Sequence, residues 1–133
     1  MHGKKYFILG NHCTDRQYEL IDDPDFHICS DIVHLFIRGQ EGDPRFANAK
    51  VYEIVLCHYP LVTWSHSDAK NCYHFFGHIH SRKDQPMSEF GQPIYIKEGK
   101  MLDVGVDRHD YKPIDLFEAI KQAQEYDLGD WVY

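Results

Sequence analysis

No apolar run in this 133-residue chain approaches the roughly 20 residues that a helix needs to cross a bilayer, and its start carries no signal-peptide core. It reads as a soluble, cytoplasmic protein with no membrane partner. There is no block of Lys or Arg, and the formal net charge is -7, which excludes a surface that holds nucleic acid non-specifically. The four cysteines, Cys13, Cys29, Cys57 and Cys72, include no C-x-x-C pair, so neither a zinc ribbon nor a secreted disulfide framework is indicated. They read as reduced thiols in apolar strands. Internal repeats, low-complexity tracts and shifts of composition are also lacking. Residues 1–133 therefore read as one domain, with enough chain for a core but little for an enzyme with a dinuclear site.

What the chain does have is strand-like segments that end in Asn or His. Asn71-Cys72-Tyr73-His74-Phe75-Phe76 runs into Gly77-His78-Ile79-His80, an apolar run delivering two imidazoles at its end. Alternation along a strand would point His78 and His80 one way and return Ile79 to the core. Tyr6-Phe7-Ile8-Leu9 similarly leads into Gly10-Asn11-His12, and Val51 through Cys57 leads into His58-Tyr59-Pro60. Three such endings predict one site at one edge of a sheet.

Ile32 to Ile37 reads as a further strand, neighbouring the one from Val51 to Cys57 across a loop. Ile94-Tyr95-Ile96 and Met101 to Val106 read as two strands around a turn at Glu98-Gly99-Lys100. Thr14 and Gln17 fit a capping box that would open a short helix through Leu20-Ile21. Asp115 and Glu118 form a second box, and Leu116, Phe117, Ile120 and Ala123 follow at helical spacing, giving a helix with one apolar face. Leu61 to Ala69, with Trp64 and His66, reads as a loop at the mouth of the site.

Taken in order, Gly10-Asn11-His12, His58 and Gly77-His78-Ile79-His80 resemble the last three blocks of the calcineurin-like metallophosphoesterases. The likeness is strongest to small bacterial and phage phosphoesterases, which have close counterparts of Lys4-Lys5-Tyr6-Phe7-Ile8-Leu9 and of Cys57-His58-Tyr59-Pro60-Leu61. Val104-Gly105-Val106-Asp107, followed by Tyr111-Lys112-Pro113, is similar to the end of that group. The resemblance covers nearly all of the chain. It implies an α/β fold, a portion of the calcineurin-like β-sandwich flanked by helices. It also implies hydrolysis of phosphate mono- or diesters by a metal-bound hydroxide. The partner is then a small phosphate-ester substrate, with nucleic acid only as a phosphodiester substrate.

In that family two ions roughly 3.5–4 Å apart carry the reaction. The resemblance implies that Asn11, His58 and His78 are ligands of one metal, that His80 is a ligand of the other, and that His12 is the general acid for the leaving group. Nitrogen and oxygen donors without thiolate point to manganese, iron, zinc or nickel. Two family blocks, an Asp-x-His and a Gly-Asp, have no match, and the abrupt start predicts a domain that is incomplete at its N-terminus. Asp15, Asp103 and Asp107 are not at the family's ligand positions. The ligand count thus predicts a weak site for one ion and little two-metal activity.

Cys13 stands where the family has a carboxylate that orients the neighbouring histidine, and a thiol accepts hydrogen bonds poorly. The alternative is a degenerate or truncated member that binds one metal or none and serves as a structural or partner-binding unit. A shortened sheet with an open edge would also pair with another copy, giving a homo-oligomer. A structural zinc module would need closely paired Cys and His ligands, and Asn11, His58 and His78 are far apart in sequence. His2, His27, His34, His66, His74 and His109 default to structural or solvated roles, with His74 the one whose alternation directs it toward the site.

Overall fold

The computed structural model describes residues 2–12 and 22–127. Among them the chain is mixed α/β, with three sheets and one α-helix. Strands β1 (Lys5–Phe7) and β2 (Phe26–Ile28) pair in parallel; β3 (Ile32–Arg38), β4 (Val51–Cys57) and β5 (Cys72–Phe76) follow. The short antiparallel pair β6 (Ser88–Glu89) and β7 (Gln92–Pro93) leads to β8 (Met101–Asp103) and the helix α1 (Leu116–Glu125). The main sheet has the order β3-β4-β5-β8, with β3 antiparallel to β4 and the other two pairings parallel. The helix expected after Thr14 lies outside the described residues.

The register explains why β5 reads as an unbroken apolar run. It is a central parallel strand, and all five of its residues are buried, as a strand covered on both faces requires. One face, from Tyr52, Ile54, Tyr73, Phe75 and Leu102, belongs to the core that includes α1. Asp115 caps that helix by accepting from the N–H groups of Phe117 and Glu118 at 2.9 and 3.2 Å. The Glu118 carboxylate accepts instead from Gln122 Nε2, one turn on. Ala119, Ile120 and Ala123 are buried, Leu116 and Phe117 pack at the margin, and Gln124 donates to the Tyr73 hydroxyl at 2.8 Å.

By the pairing register Glu53, Val55, Cys72 and His74 share the other face. His74 has the structural role of its default reading, not the place at the site that its parity allows: it lies in the core under Trp64, with ring centroids 5.1 Å apart. Its Nδ1–H donates to Val55 O at 2.9 Å, and its Nε2 accepts from Leu61 N–H at 3.0 Å. Both ring nitrogens are thereby used by a neutral imidazole, which ties the chain after Pro60 to the sheet.

Two expected strands differ. Ile94 to Ile96 forms no ladder: Pro93 offers no N–H, β7 stops there, and Ile96 enters the core as an isolated plug. The strand opening at Met101 ends at Asp103, because the Asp103 carboxylate captures Gly105 N–H at 2.8 Å and turns the chain into a 3₁₀ turn at Val106–Arg108. The predicted turn at Gly99 is present, with φ at 72°.

Candidate metal centre

The parallel strands β4 and β5 end side by side, so the residues after Cys57 and after Phe76 emerge together at the carboxyl edge of the main sheet. Gly77 N–H donates to His58 O at 3.0 Å and fixes that alignment. Strand β1 belongs to a different sheet, contrary to the expectation of a single edge, yet the chain beyond it arrives at the same place. His58 Nε2–H donates to Asn11 Oδ1 at 2.7 Å. Gly10 makes this approach feasible, since a Cβ there would meet the His58 ring at 2.8 Å. The His58 and His78 rings lie edge to face with centroids 5.1 Å apart, and Tyr59 lies 4.9 Å from His78.

His78 and His80 are not displayed by strand alternation. Both adopt left-handed backbone, with φ of 68° and 49°, a conformation that costs a non-glycine residue on the order of 1–2 kcal/mol. Ile79 between them is buried as expected and anchors the turn. Strain of this kind persists only where surrounding contacts impose it. Here the buried Asp103 carboxylate accepts from Ser81 N–H and Ser81 Oγ–H at 3.1 and 2.6 Å. Arg108 donates to Ser81 Oγ, Arg82 O and Gln85 O. His80 Nδ1–H donates to Asp107 Oδ2 at 2.7 Å, leaving Nε2 with its lone pair outward.

Asn11, His58 and His78 are therefore adjacent, and His80 and His12 are close enough to act on His58 electrostatically. Burial, then the neighbouring His78, His12 and His80, push the His58 pKa below the usual imidazole value. A neutral imidazole held among other imidazoles and an amide oxygen is a donor set suited to a divalent cation. The 2.7 Å between Asn11 Oδ1 and His58 Nε2 is near the ~3 Å between adjacent donors with bonds of about 2.1 Å to one ion. The donor types suit the metal that the resemblance implies, but among the described residues His58, His78, His80 and the carboxylates beside them do not set three ligand atoms within 4.8 Å of one another, so holding one ion there requires the side chains to move together.

Sequence reasoning missed two carboxylates. Glu89, on β6, places Oε1 3.1 Å from His78 Nε2, and Asp107 orients His80. Neither lies in a periodic segment, and only the fold of the 81–107 loops brings them in. Cys13 lies outside the described residues. Neither protein-family profiles, curated proteins nor solved structures give any match to this chain.

The lowered pKa values of His58 and His74 carry a stability consequence. Desolvation holds the His74 pKa down against the backbone groups of Val55 and Tyr59, which favour the charged form. Both imidazoles resist protonation in the folded state, so the unfolded chain binds more protons below about pH 6.5 and folding weakens as pH falls through that value. The urea midpoint is expected to be lower at pH 5.5 than at pH 7.5. An unchanged or higher midpoint at pH 5.5 would contradict it.

Proposed function

We infer that the chain is a phosphoesterase domain of the calcineurin-like type that hydrolyses phosphate mono- or diesters with the help of a divalent metal. The observation that supports this reading is the approach of Asn11 and His78 to a His58 whose pKa burial and the neighbouring His78, His12 and His80 hold down. A divalent ion at such a donor set lowers the pKa of bound water and polarises a phosphoryl oxygen. His12, next to Asn11 in the chain, would hand a proton to the departing alkoxide. Asn11 and His58 hold one another in register, and Asp107 keeps the His80 lone pair directed outward.

A cleft of about 980 Å³ adjoins His80 and is lined by Arg82, Lys83, Phe90, Asp107 and Tyr111 among others. Arg82 and Lys83 are its cations, set among Asp84, Asp107 and Asp110, with Lys83 Nζ 3.7 Å from Asp110 Oδ2, and the exposed rings of Phe90 and Tyr111 also line it. Asn11, His58 and His78 are three neutral donors, and His80 adds one more, so the set favours a single ion and slow turnover. The β3 edge, with Ile32, Leu35 and Phe36 exposed, favours a second reading in which the domain also pairs with another copy.

The test is hydrolysis of aryl phosphate mono- and diesters by metal-stripped protein with and without added Mn²⁺. Turnover should require the metal and cease with chelator. A His12→Asn variant should lose about 10²-fold or more with poor leaving groups and much less with good ones. No hydrolysis with manganese, iron, zinc or nickel would instead favour a domain that binds one metal or none as a structural or partner-binding unit. A His12→Asn loss that is uniform across leaving groups would remove His12 from the acid role.

A further inference from the structure

Toward the other end of β4 and β5 lies a second group of chemically active side chains. His34 Nε2, Glu53 Oε2 and Cys72 Sγ come from three neighbouring strands, and ligand atoms of these three residues lie within 4.8 Å of one another. The register places Glu53 opposite Cys72, and His34 opposite Val55, two residues along the same face of β4. His66 reaches in from the covering loop and sets Nδ1 2.7 Å from the same Glu53 oxygen that His34 Nε2 approaches at 3.3 Å. Its backbone is left-handed, with φ at 62°. Burial raises the Glu53 pKa, but the contacts with His66 and then His34 outweigh it, and the carboxylate stays ionised below its ordinary pKa.

We propose that Cys72, Glu53, His34 and His66 form a structural site for a tetrahedral divalent transition ion, with Zn²⁺ the best fit. One thiolate, one carboxylate and two imidazoles are a four-donor set of the kind that Zn²⁺ holds. Tetrahedral donors with bonds of 2.0–2.3 Å sit about 3.5 Å apart, so His34, Glu53 and Cys72, within 4.8 Å of one another, close by small side-chain rotations, and His66, 2.7 Å from Glu53, completes the set by a shift of its loop. A second observation points the same way. Trp64, next to the Ser65 whose carbonyl Cys72 Sγ–H meets, has a buried Nε1–H with no hydrogen-bond partner. In the metal-free protein Cys72 Sγ–H donates to Ser65 O at 3.5 Å. Binding therefore replaces that proton with the ion. The ion would pin the loop after Leu61, through His66, to the sheet that carries His58. This site is separate from the imidazole centre and does not depend on phosphoesterase activity.

Co²⁺ titration of the metal-stripped full chain under reducing, oxygen-free conditions tests the proposal, because only a thiolate ligand gives the sulfur-to-cobalt charge-transfer band. The band is expected in the parent protein, in His58→Ala and in Cys57→Ser, and is expected to vanish in Cys72→Ser. If Cys72→Ser fails to fold, the paired change His34→Gln with His66→Gln, at partly exposed positions, should weaken Co²⁺ binding as read from the band by about 100-fold. No charge-transfer band with excess Co²⁺ would overturn the site. So would a band that survives Cys72→Ser or is indifferent to the paired histidine change.

Discussion

Asp103→Ala is expected to lower stability by about 3–4 kcal/mol, a large share of the ~5–15 kcal/mol that holds a domain together. The carboxylate is buried and accepts from two backbone N–H groups, Ser81 and Gly105, and from the Ser81 hydroxyl. Alanine leaves those donors without an acceptor in a place water does not reach, at about 1–3 kcal/mol for each unsatisfied group before relaxation. Gly105 has no Cβ to fill the space; one there would sit 2.9 Å from Asp103 Oδ1. Asp103→Asn keeps the shape and one oxygen, so about half the loss is expected. Urea midpoints of the three proteins check this, and an alanine cost under about 1 kcal/mol would show that the Ser81 and Gly105 donors find other partners. The effect should extend to function, because Ser81 follows His80 directly and Arg108 follows Asp107.

His58→Ala is expected to behave in the opposite way, removing function and sparing the fold. His58 is only partly buried, and its ring already lies where protonation is disfavoured, so its loss should change stability by no more than about 1 kcal/mol. It is also the residue that contacts Asn11 and faces His78, so the cation would lose its central donor. Removing several kcal/mol of charge stabilisation from the transition state corresponds to a fall in metal-dependent hydrolysis on the order of 10³-fold or more. Calorimetric Mn²⁺ titration and hydrolysis of an aryl phosphodiester, measured on the same folded sample, separate the two effects. A variant with unchanged Mn²⁺ affinity would remove His58 from the centre.

Much of the scaffold was legible because its signals are local. The runs Ile32 to Ile37, Val51 to Cys57 and Cys72 to Phe76 are long, apolar and bounded, and they are strands. Asp115 and the spacing of Leu116, Phe117, Ile120 and Ala123 describe α1. Asn11, His58 and His78 lie near one another, although His78 and His80 are not displayed by the strand alternation expected of them. Left-handed backbone braced by Asp103 replaces strand alternation, and nothing in the local sequence of Gly77-His78-Ile79-His80 announces it.

What was hidden depends on distant register. His74 was directed toward the site by its parity along β5, but parity could not reveal that Trp64 covers that face. Cys72 and Glu53 become partners only because β4 and β5 pair in one particular alignment, and His34 and His66 join them from a further strand and a loop. Scattered single ligands of this kind leave no spacing motif. Glu89 and Asp107 likewise reach their histidines through loops whose course is set by buried polar contacts rather than by hydrophobic pattern.

The central claim is that Asn11, His58, His78 and His80 hold a divalent cation at the carboxyl edge of the main sheet. Paramagnetic broadening by substoichiometric Mn²⁺, followed on assigned imidazole and Asn side-chain resonances, reads it most directly. Signals of His58, His78, His80 and Asn11 should broaden first and most strongly, at Mn²⁺ levels below those that broaden His27. If those four stay sharp while Mn²⁺ broadens exposed carboxylates elsewhere, the cluster is not a metal centre.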